Sequence, residues 1–294
     1  FVAADKEKYW MNVDLYIGGA EHAVLHLLYS RFWHKVLYDV GVVSTKEPFQ
    51  KLFNQGMILG EDNEKMSKSR GNVVTADSVL GSYGADAVRL YEMFLGPLEQ
   101  VKPWNTNGIE GVSRFLGKVW RLVYPDDRDD TPQIDNSPIS DNILRRMHKT
   151  IKKVSEDTEA LKFNTAISEM MIFVNELQKE KCRSKLVVEP LLVLLAPFAP
   201  HIAEELWQTL GHSGSISFAK FPAYDPELAK DDVVTIAVQV SGKLRGTFDA
   251  PAGLGQDELA ERAMQVDSVV KFIDGREVIK KIVVPNKLVN LVVK

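Results

Sequence analysis

Cysteine is almost absent from this sequence. Cys182 is the only one among 294 residues, which excludes a disulfide framework and any metal site built from several cysteines. A single thiol fits a reducing compartment, so we expect a cytoplasmic protein.

Long hydrophobic runs are also missing. The longest, Leu191 to Ala199, is broken by Pro197 and falls short of the ~20 apolar residues that cross a bilayer. The chain has 36 Lys and Arg residues against 40 Asp and Glu residues, and 45% of it is hydrophobic, which is ordinary for a globular protein. Membrane-spanning, disulfide-rich secreted and disordered classes are therefore excluded. The length predicts two or three domains, and the first residue, Phe1, is consistent with a piece of a longer protein.

The negative charge is concentrated between Asp126 and Ser140. This stretch contains five aspartates, one arginine and two prolines, Pro132 and Pro138. Since it has too little apolar surface to offset the entropy of ordering, we interpret it as a solvated linker or loop. The alternative is an acidic interaction tail.

The residues before this stretch predict an α/β region. Val13 to Ile17 is a short β-prone run closed by Gly18 and Gly19, and a long helix is predicted over Glu21 to Val40. Phe49 to Asn54 looks helical. A strand followed by glycines and a helix is typical of α/β sheets, in which ligands bind at the carboxyl ends of the strands.

The residues after it have a helical period. Apolar residues recur three and four apart from Leu144 to Leu161 and from Ile167 to Leu177, which predicts an antiparallel α-helical bundle. From Val233 onward, two hairpins separated by a helix over Asp257 to Met264 predict a small α+β domain of ββαββ order. Its nine Lys and Arg residues outnumber seven Asp and Glu residues.

The most informative stretch is Glu64-Lys-Met-Ser-Lys-Ser-Arg-Gly-Asn72. It follows the strand-like run Gly56-Met-Ile-Leu-Gly60, which predicts a loop at the end of a strand. Lysine ammonium groups can approach polyphosphate as mobile point charges, and Gly71 allows a sharp backbone turn. The alternative is an exposed basic loop without a ligand.

This loop resembles the signature loop of class I aminoacyl-tRNA synthetases. The wider sequence is similar to the bacterial leucyl-tRNA synthetase family, on four further stretches: Tyr16 to His34, Gln55-Gly-Met-Ile-Leu-Gly60, Ala196-Pro-Phe-Ala-Pro-His to Trp207, and Val238-Gln-Val-Ser-Gly-Lys243. The resemblance covers nearly the whole chain, but only the carboxyl-terminal part of the family. The first half of the ATP site and the editing domain have no counterpart here, so we expect the isolated chain to be inactive.

The resemblance implies a multidomain fold. It predicts the distal half of an α/β nucleotide-binding catalytic domain over 1–110, an antiparallel helical tRNA-binding bundle over 111–225, and the ββαββ domain over 233–294, also tRNA-binding. It implies an enzyme, a leucine–tRNA ligase, that activates leucine with ATP and Mg²⁺ and transfers it to tRNA(Leu). We expect a monomer with no membrane partner.

The resemblance also assigns roles to residues. Catalytic roles fall to Lys65 and Lys68, which would hold the pyrophosphate end of ATP. ATP contacts extend over a glycine segment and the signature loop: Gly18, Gly19, Glu21, Lys65, Met66, Ser67, Lys68 and Ser69. His22 and His26 would line the leucine pocket, and Lys243 and Arg245 would contact tRNA. Cys182 and His201 receive no functional role.

Several alternatives stay open. His22 and His26 lie four apart, so a shared helix face could bind zinc or form a purely structural pair; a hydrolytic zinc site would need a glutamate in place of Ala23, and we predict no metal. The C-terminal domain could be a structural cap. The chain could be a stand-alone RNA-binding module derived from a synthetase, or a valine, isoleucine or methionine synthetase. Intact Lys65, Lys68 and Glu21 argue against the module.

Overall fold

A computed structural model describes residues 2–126, 131–230 and 233–294. The chain divides into two compact units, Phe1–Leu228 and Ala229–Lys294, each with its own hydrophobic core. Among the described residues, no helix is both long enough and apolar enough to cross a membrane.

The first unit begins with helix α1 (Ala4–Trp10) and a pair of parallel strands, β1 (Tyr16–Gly19) and β2 (Leu52–Gln55). The prediction of a helix over Phe49 to Asn54 is wrong. This segment pairs with β1 as a parallel strand, and the pairing begins with Tyr16 opposite Leu52. A partner distant in sequence has overridden the local preference.

The long helix predicted from Glu21 to Val40 is interrupted. Residues Ala20–Ala23 form a short 3₁₀ turn, and helix α2 begins only at His26 and ends at Asp39. Leu25 stands between them with φ −92° and ψ −96°, outside the helical region. The inference that His22 and His26 share one helix face is therefore wrong.

Helix α2 has an uncovered apolar face. Leu25 lies just before the helix. Leu28, Tyr29 and Phe32 lie within it, three, four and seven residues after Leu25, and all four residues are 58–63% exposed. Large side chains at these intervals normally pack against a core. In the described part of the chain nothing covers them.

The strands β3 (Ile58–Leu59) and β4 (Lys102–Pro103) form a second parallel pair. Between them the chain forms the signature loop, helix α3 (Ala76–Tyr83) and helix α4 (Ala85–Phe94). Gly84, with φ +80°, separates the two helices, a backbone conformation that glycine adopts without steric cost. The loop therefore follows a strand, as the sequence predicts.

Five helices make the bundle. They are α5 (Thr106–Val123), α6 (Asp141–Glu159), α7 (Phe163–Lys179), α8 (Lys185–Leu195) and α9 (Pro200–Thr209). Asn105 caps α5 by accepting from the N–H of Asn107, and Ser140 caps α6 by accepting from the N–H of Ile143. Their buried faces join those of α3 and α4 in one core. The predicted boundary at residue 110 falls inside α5.

The acidic stretch is not a free linker where it is described. Asp135 forms a parallel bridge with Ser184, Ser184 Oγ donates to the carbonyl of Ser137, and Ile134 and Ile139 pack against the core. Residues 127–130 lie outside the described residues. The two isoleucines make apolar contacts that the mostly polar composition of the stretch did not predict.

The second unit is a four-stranded sheet with two helices. Its elements are β5 (Val233–Val240), β6 (Lys243–Pro251), α10 (Gln256–Met264), α11 (Asp267–Ile273), β7 (Val278–Val284) and β8 (Leu288–Val293). The strand order is β6-β5-β8-β7, with antiparallel hairpins joined by parallel pairing of β5 and β8. The predicted ββαββ order is corrected to ββααββ. Helix α11 was missed because it spans only seven residues, too short for a clear period.

Candidate functional site

The signature loop is held by one pair of side chains. The Asn72 amide donates to both carboxylate oxygens of Asp62, at 3.1 and 3.0 Å, and its Oδ1 accepts from the N–H of Ser67 at 2.9 Å. The N–H of Glu64 and the Asn72 amide hold the pKa of Asp62 below its usual range. Asp62 therefore stays ionised and fastens both ends of the loop.

The turn of the loop is closed by backbone bonds and serine. Ser67 Oγ accepts from the N–H of Arg70 at 3.3 Å and lies 3.2 Å from Ser69 Oγ. Gly71 has φ +70°, which favours glycine. The side chain of Met66 packs against the core and anchors the middle of the loop.

The two lysines of the loop are exposed. In the described part of the chain, neither Lys65 nor Lys68 forms an ion pair, whereas the neighbouring charges of Glu64 and Arg70 neutralise each other at 3.0 Å. Two ammonium groups are thus presented to solvent on a fixed backbone. Such a pair can bind an anion without first breaking a salt bridge.

A second anchor ties the strand before the loop to α5. Glu61 accepts from the N–H and the hydroxyl of Thr106, at 3.0 and 2.7 Å, and these bonds lower the pKa of Glu61. The N–H of Trp104 donates to the carbonyl of Leu59 at 2.9 Å. The loop is therefore fixed at the N-terminus of the first bundle helix.

The glycine segment lies at the carboxyl end of β1. Gly18 and Gly19 are buried. A Cβ at Gly18 would lie 2.7 Å from the ring of Tyr16, and a Cβ at Gly19 would collide with the carboxylate of Glu21. The glycines therefore leave room for Glu21 to fold back over the strand end.

The two histidines have different surroundings. The hydroxyl of Tyr16 lies 2.9 Å from Nδ1 of His26, and the two rings stack. His22 sits in the 3₁₀ turn and is half-buried. Within the described ranges, no group of three or more His, Cys, Asp or Glu side chains is placed to hold a metal ion.

The structure places these residues in two groups. Gly18, Gly19, Glu21, His22 and His26 surround the end of β1 and the start of α2, while residues 65–69 lie in the loop after β3. No hydrogen bond or ion pair joins the two groups among the residues the structure describes. Both groups belong to the first unit.

In the second unit, Lys243 and Arg245 differ. Lys243 is exposed, but the guanidinium of Arg245 lies 4.0 Å from the ring centroid of Phe272 and is half-buried. Because Arg245 already stacks within its own unit, its side chain does not project freely beside Lys243.

Sequence reasoning missed a contact centred on Asp86. This buried carboxylate accepts from the backbone N–H groups of His201 and Ile202, at 3.3 and 2.7 Å, and from the His201 ring at 2.8 Å. Arg89 Nη2 also donates to the carbonyl of Pro197. Helix α4 thus caps helix α9, although 115 residues separate Asp86 from His201. The only signal is that both segments resemble the same family.

Two family profiles match the chain. Residues 14–101 match "tRNA synthetases class I (I, L, M and V)", and residues 141–260 match "Anticodon-binding domain of tRNA ligase". A leucine–tRNA ligase of Chloroherpeton thalassium is 78% identical over the whole chain, and one of Chlorobium phaeobacteroides is 70% identical over 98% of it.

Over its whole length, this chain is homologous to leucine–tRNA ligases. It spans 36% of the length of each of these two relatives. A solved leucyl-tRNA synthetase of Agrobacterium radiobacter K84, in a ternary complex with tRNA and LeuAMS, superposes with a TM-score of 0.75 at 35% identity, over 96% of this chain and 37% of that one.

A more distant structure shares the fold alone. Methionyl-tRNA synthetase of Mycobacterium tuberculosis superposes with a TM-score of 0.53 at 19% identity over 70% of this chain and 46% of its own. The matches to leucine–tRNA ligases confirm the resemblance seen in the sequence.

Proposed function

We propose that this chain is the carboxyl-terminal part of a leucine–tRNA ligase, which forms leucyl-adenylate from leucine and ATP and passes the leucyl group to tRNA(Leu). The observation that carries the proposal is the fixed loop with two unpaired lysines, Lys65 and Lys68. It supports a site for the polyphosphate of ATP. The ligase would act in the cytoplasm as a monomer.

Lys65 and Lys68 act on the leaving group. The leucine carboxylate attacks the α-phosphorus of ATP, a new P–O bond forms, and the bond to pyrophosphate breaks. Negative charge grows on the pyrophosphate, where ammonium groups stabilise the transition state more than the ground state. Met66 anchors the loop, and Ser67 and Ser69 offer hydroxyl groups to the same phosphates. Mg²⁺ enters with ATP, held mainly by phosphate and water oxygens.

The glycine segment receives the nucleoside. Gly18 and Gly19 let it approach the end of β1, and the exposed carboxylate of Glu21 accepts hydrogen bonds from the ribose hydroxyls. His22 and His26 border the leucine side chain, with Tyr16 orienting the ring of His26 through the 2.9 Å contact.

tRNA binds the bundle and the C-terminal unit. We keep the three-part division at 1–110, 111–225 and 233–294 as a prediction of where catalysis gives way to tRNA binding. In the last part, exposed Lys243 contacts the backbone directly, while Arg245 contributes through a guanidinium already stacked on Phe272. Backbone contacts suit a folded RNA that is recognised by shape.

The test is Lys68→Ala in the ligase that contains this chain. Losing one charge-assisted bond of about 1.5–3 kcal/mol should slow leucine-dependent pyrophosphate exchange roughly ten- to a hundredfold. Lys179→Ala, which removes another exposed lysine, from α7, is the matched control. An exchange rate that Lys68→Ala leaves unchanged would remove Lys68 from catalysis.

A further inference from the structure

A cationic cavity lies at the far end of α5 from the loop. It has a volume of about 430 Å³, and three basic side chains line it, those of Arg121, Lys181 and Arg183. Its floor includes Leu122 and Leu177. A second cavity of about 300 Å³ shares Lys181 and Arg183, so these two residues border both spaces.

The described lining of the larger cavity is basic, whereas two acidic residues, Asp135 and Glu180, are among the described lining residues of the smaller one. No acidic side chain is among the described lining residues of the larger cavity, and no ion pair to Arg121, Lys181 or Arg183 occurs among the residues that the structure describes. Like charges gathered around one concave space raise the local positive potential. An anion entering it meets cations that form no ion pair with another described residue.

Lys181 occupies a backbone position that favours glycine. Its φ is +51°, and it ends α7 where the N–H of Lys181 donates to Gln178 and the N–H of Cys182 to Leu177. Helices commonly end with glycine at such a residue. A lysine here accepts backbone strain and adds a charge to the lining of both cavities, and strain of this kind concentrates at functional positions.

The position of the cavity separates it from the ATP loop. Thr106, at the first residue of α5, binds Glu61 beside the loop, and Arg121 lies fifteen residues further along the same helix. At 1.5 Å per residue the separation is about 22 Å. A single ligand that reaches both sites has to be a macromolecule.

We propose that Arg121, Lys181 and Arg183 bind backbone phosphates of the tRNA while its acceptor end is at the catalytic site. The inference rests on the proposed function. Arginine forks match phosphate oxygens in pairs, and lysine adds a point charge. No aromatic side chain is among the described lining residues for a base to stack on, so the cavity favours backbone over base recognition.

The experiment compares two variants of the ligase that contains this chain. Lys181→Asn combined with Arg183→Gln removes two charges, and asparagine tolerates the positive φ. Lys179→Gln is the control, since this exposed lysine lies outside the cavity lining. The double variant should bind a tRNA(Leu) transcript roughly tenfold more weakly, and the slope of log affinity against log salt should fall by about two. Leucine-dependent pyrophosphate exchange should stay at the wild-type rate and shows that the fold is intact.

Two results overturn the inference and are distinguishable from failure of the proposed function. A double variant whose affinity and salt slope equal those of Lys179→Gln leaves the cavity without an RNA role. A double variant that discriminates between tRNA sequences differently from the wild type assigns the cavity to base readout instead. If the wild-type ligase neither exchanges pyrophosphate nor binds the transcript, the proposed function itself fails.

Discussion

Glu47 shows how a single neighbour sets the charge of a side chain. Arg31 donates to its two carboxylate oxygens from Nε and Nη2, both at 2.7 Å, and Lys35 lies 3.3 Å away. The hydrogen bond from Arg31 lowers the pKa of Glu47 to about 2. The pair ties α2 to the segment that leads into β2.

A titration should report this pair directly. Because the pKa of Glu47 is lowered in the folded chain, its ionised carboxylate stabilises the fold at pH values above about 4.5. This contribution is lost as the pH falls from about 4.5 towards 2. We expect the side-chain carboxyl carbon of Glu47, followed by NMR, to titrate near pH 2, and at a higher pH in Arg31→Met, in which Lys35 still lies beside the carboxylate. A wild-type midpoint close to 4.5 would contradict the bidentate geometry.

Single residues of the site divide into those the sequence could predict and those it could not. The sequence predicted that Lys65 and Lys68 lie in a loop after a strand, and the structure places them there; their catalytic role stays a prediction. The spacing of His22 and His26 led to the wrong inference of a shared helix face, since the non-helical backbone of Leu25 interrupts the helix between them. The contact of His26 with Tyr16 depends on a turn of the chain that no spacing rule describes.

At the scale of elements, the contact between α4 and α9 is the firmest link that sequence reasoning did not find. Asp86 is buried, and it satisfies two backbone N–H groups at the start of α9. Such groups have no partner within their own helix.

Removing this cap should destabilise the chain. Asp86→Ala should lower the free energy of unfolding by about 1–3 kcal/mol, because it leaves buried donors unpaired. His201→Ala should cost under about 1 kcal/mol, since its ring is largely exposed. Urea denaturation measures both, with Asp77→Ala, at an exposed position of α3, as the control. Equal effects of Asp86→Ala and Asp77→Ala would refute the cap.

A glycine substitution should change the free energy of unfolding in opposite directions at two helix ends. Leu161 and Lys181 both have positive φ, +59° and +51°, but Leu161 is buried and Lys181 exposed. Lys181→Gly should raise the free energy of unfolding by about 1 kcal/mol through relief of strain. Leu161→Gly should lower it by about 1–2 kcal/mol net, because the lost burial exceeds that relief. Thermal or urea unfolding of both variants checks the signs; a destabilised Lys181→Gly would mean that its side chain packs.

Elements differed in how well the sequence predicted them. The helices of the bundle follow the apolar period, because each buries one face in a shared core. Strand β2 was misassigned since its partner β1 lies more than thirty residues away. Helix α11 was missed because seven residues hold fewer than two turns of periodic signal.

On the scale of the whole molecule, the chain has two structural units, each with its own core. The core of Ala229–Lys294 is formed by its own sheet and helices, with buried residues such as Ile236, Leu259 and Leu291. The composition change near Val233 could be read from the sequence. The exact division after Leu228 depends on contacts that composition does not show.

Deleting Ala229–Lys294 from the ligase should separate the two reactions. Leucyl-adenylate formation should continue at the wild-type rate, because the loop and glycine segment belong to the other unit. tRNA charging should fall more than about tenfold, with a shallower salt dependence of tRNA affinity. Pyrophosphate exchange and aminoacylation assays measure the two steps. Charging that persists at the wild-type level would make the unit a structural cap.

The uncovered face of α2 also governs how the chain behaves during handling. This face is an exposed apolar patch through which two copies of the chain can associate. It consists of Leu25, Leu28, Tyr29 and Phe32. Apolar association of this type weakens on cooling. Sulfate and phosphate salts strengthen it, because these ions are excluded from the apolar surface. We therefore expect the chain to stay dispersed on cold storage in a buffer free of these salts, and to associate through this helix when such salts are added.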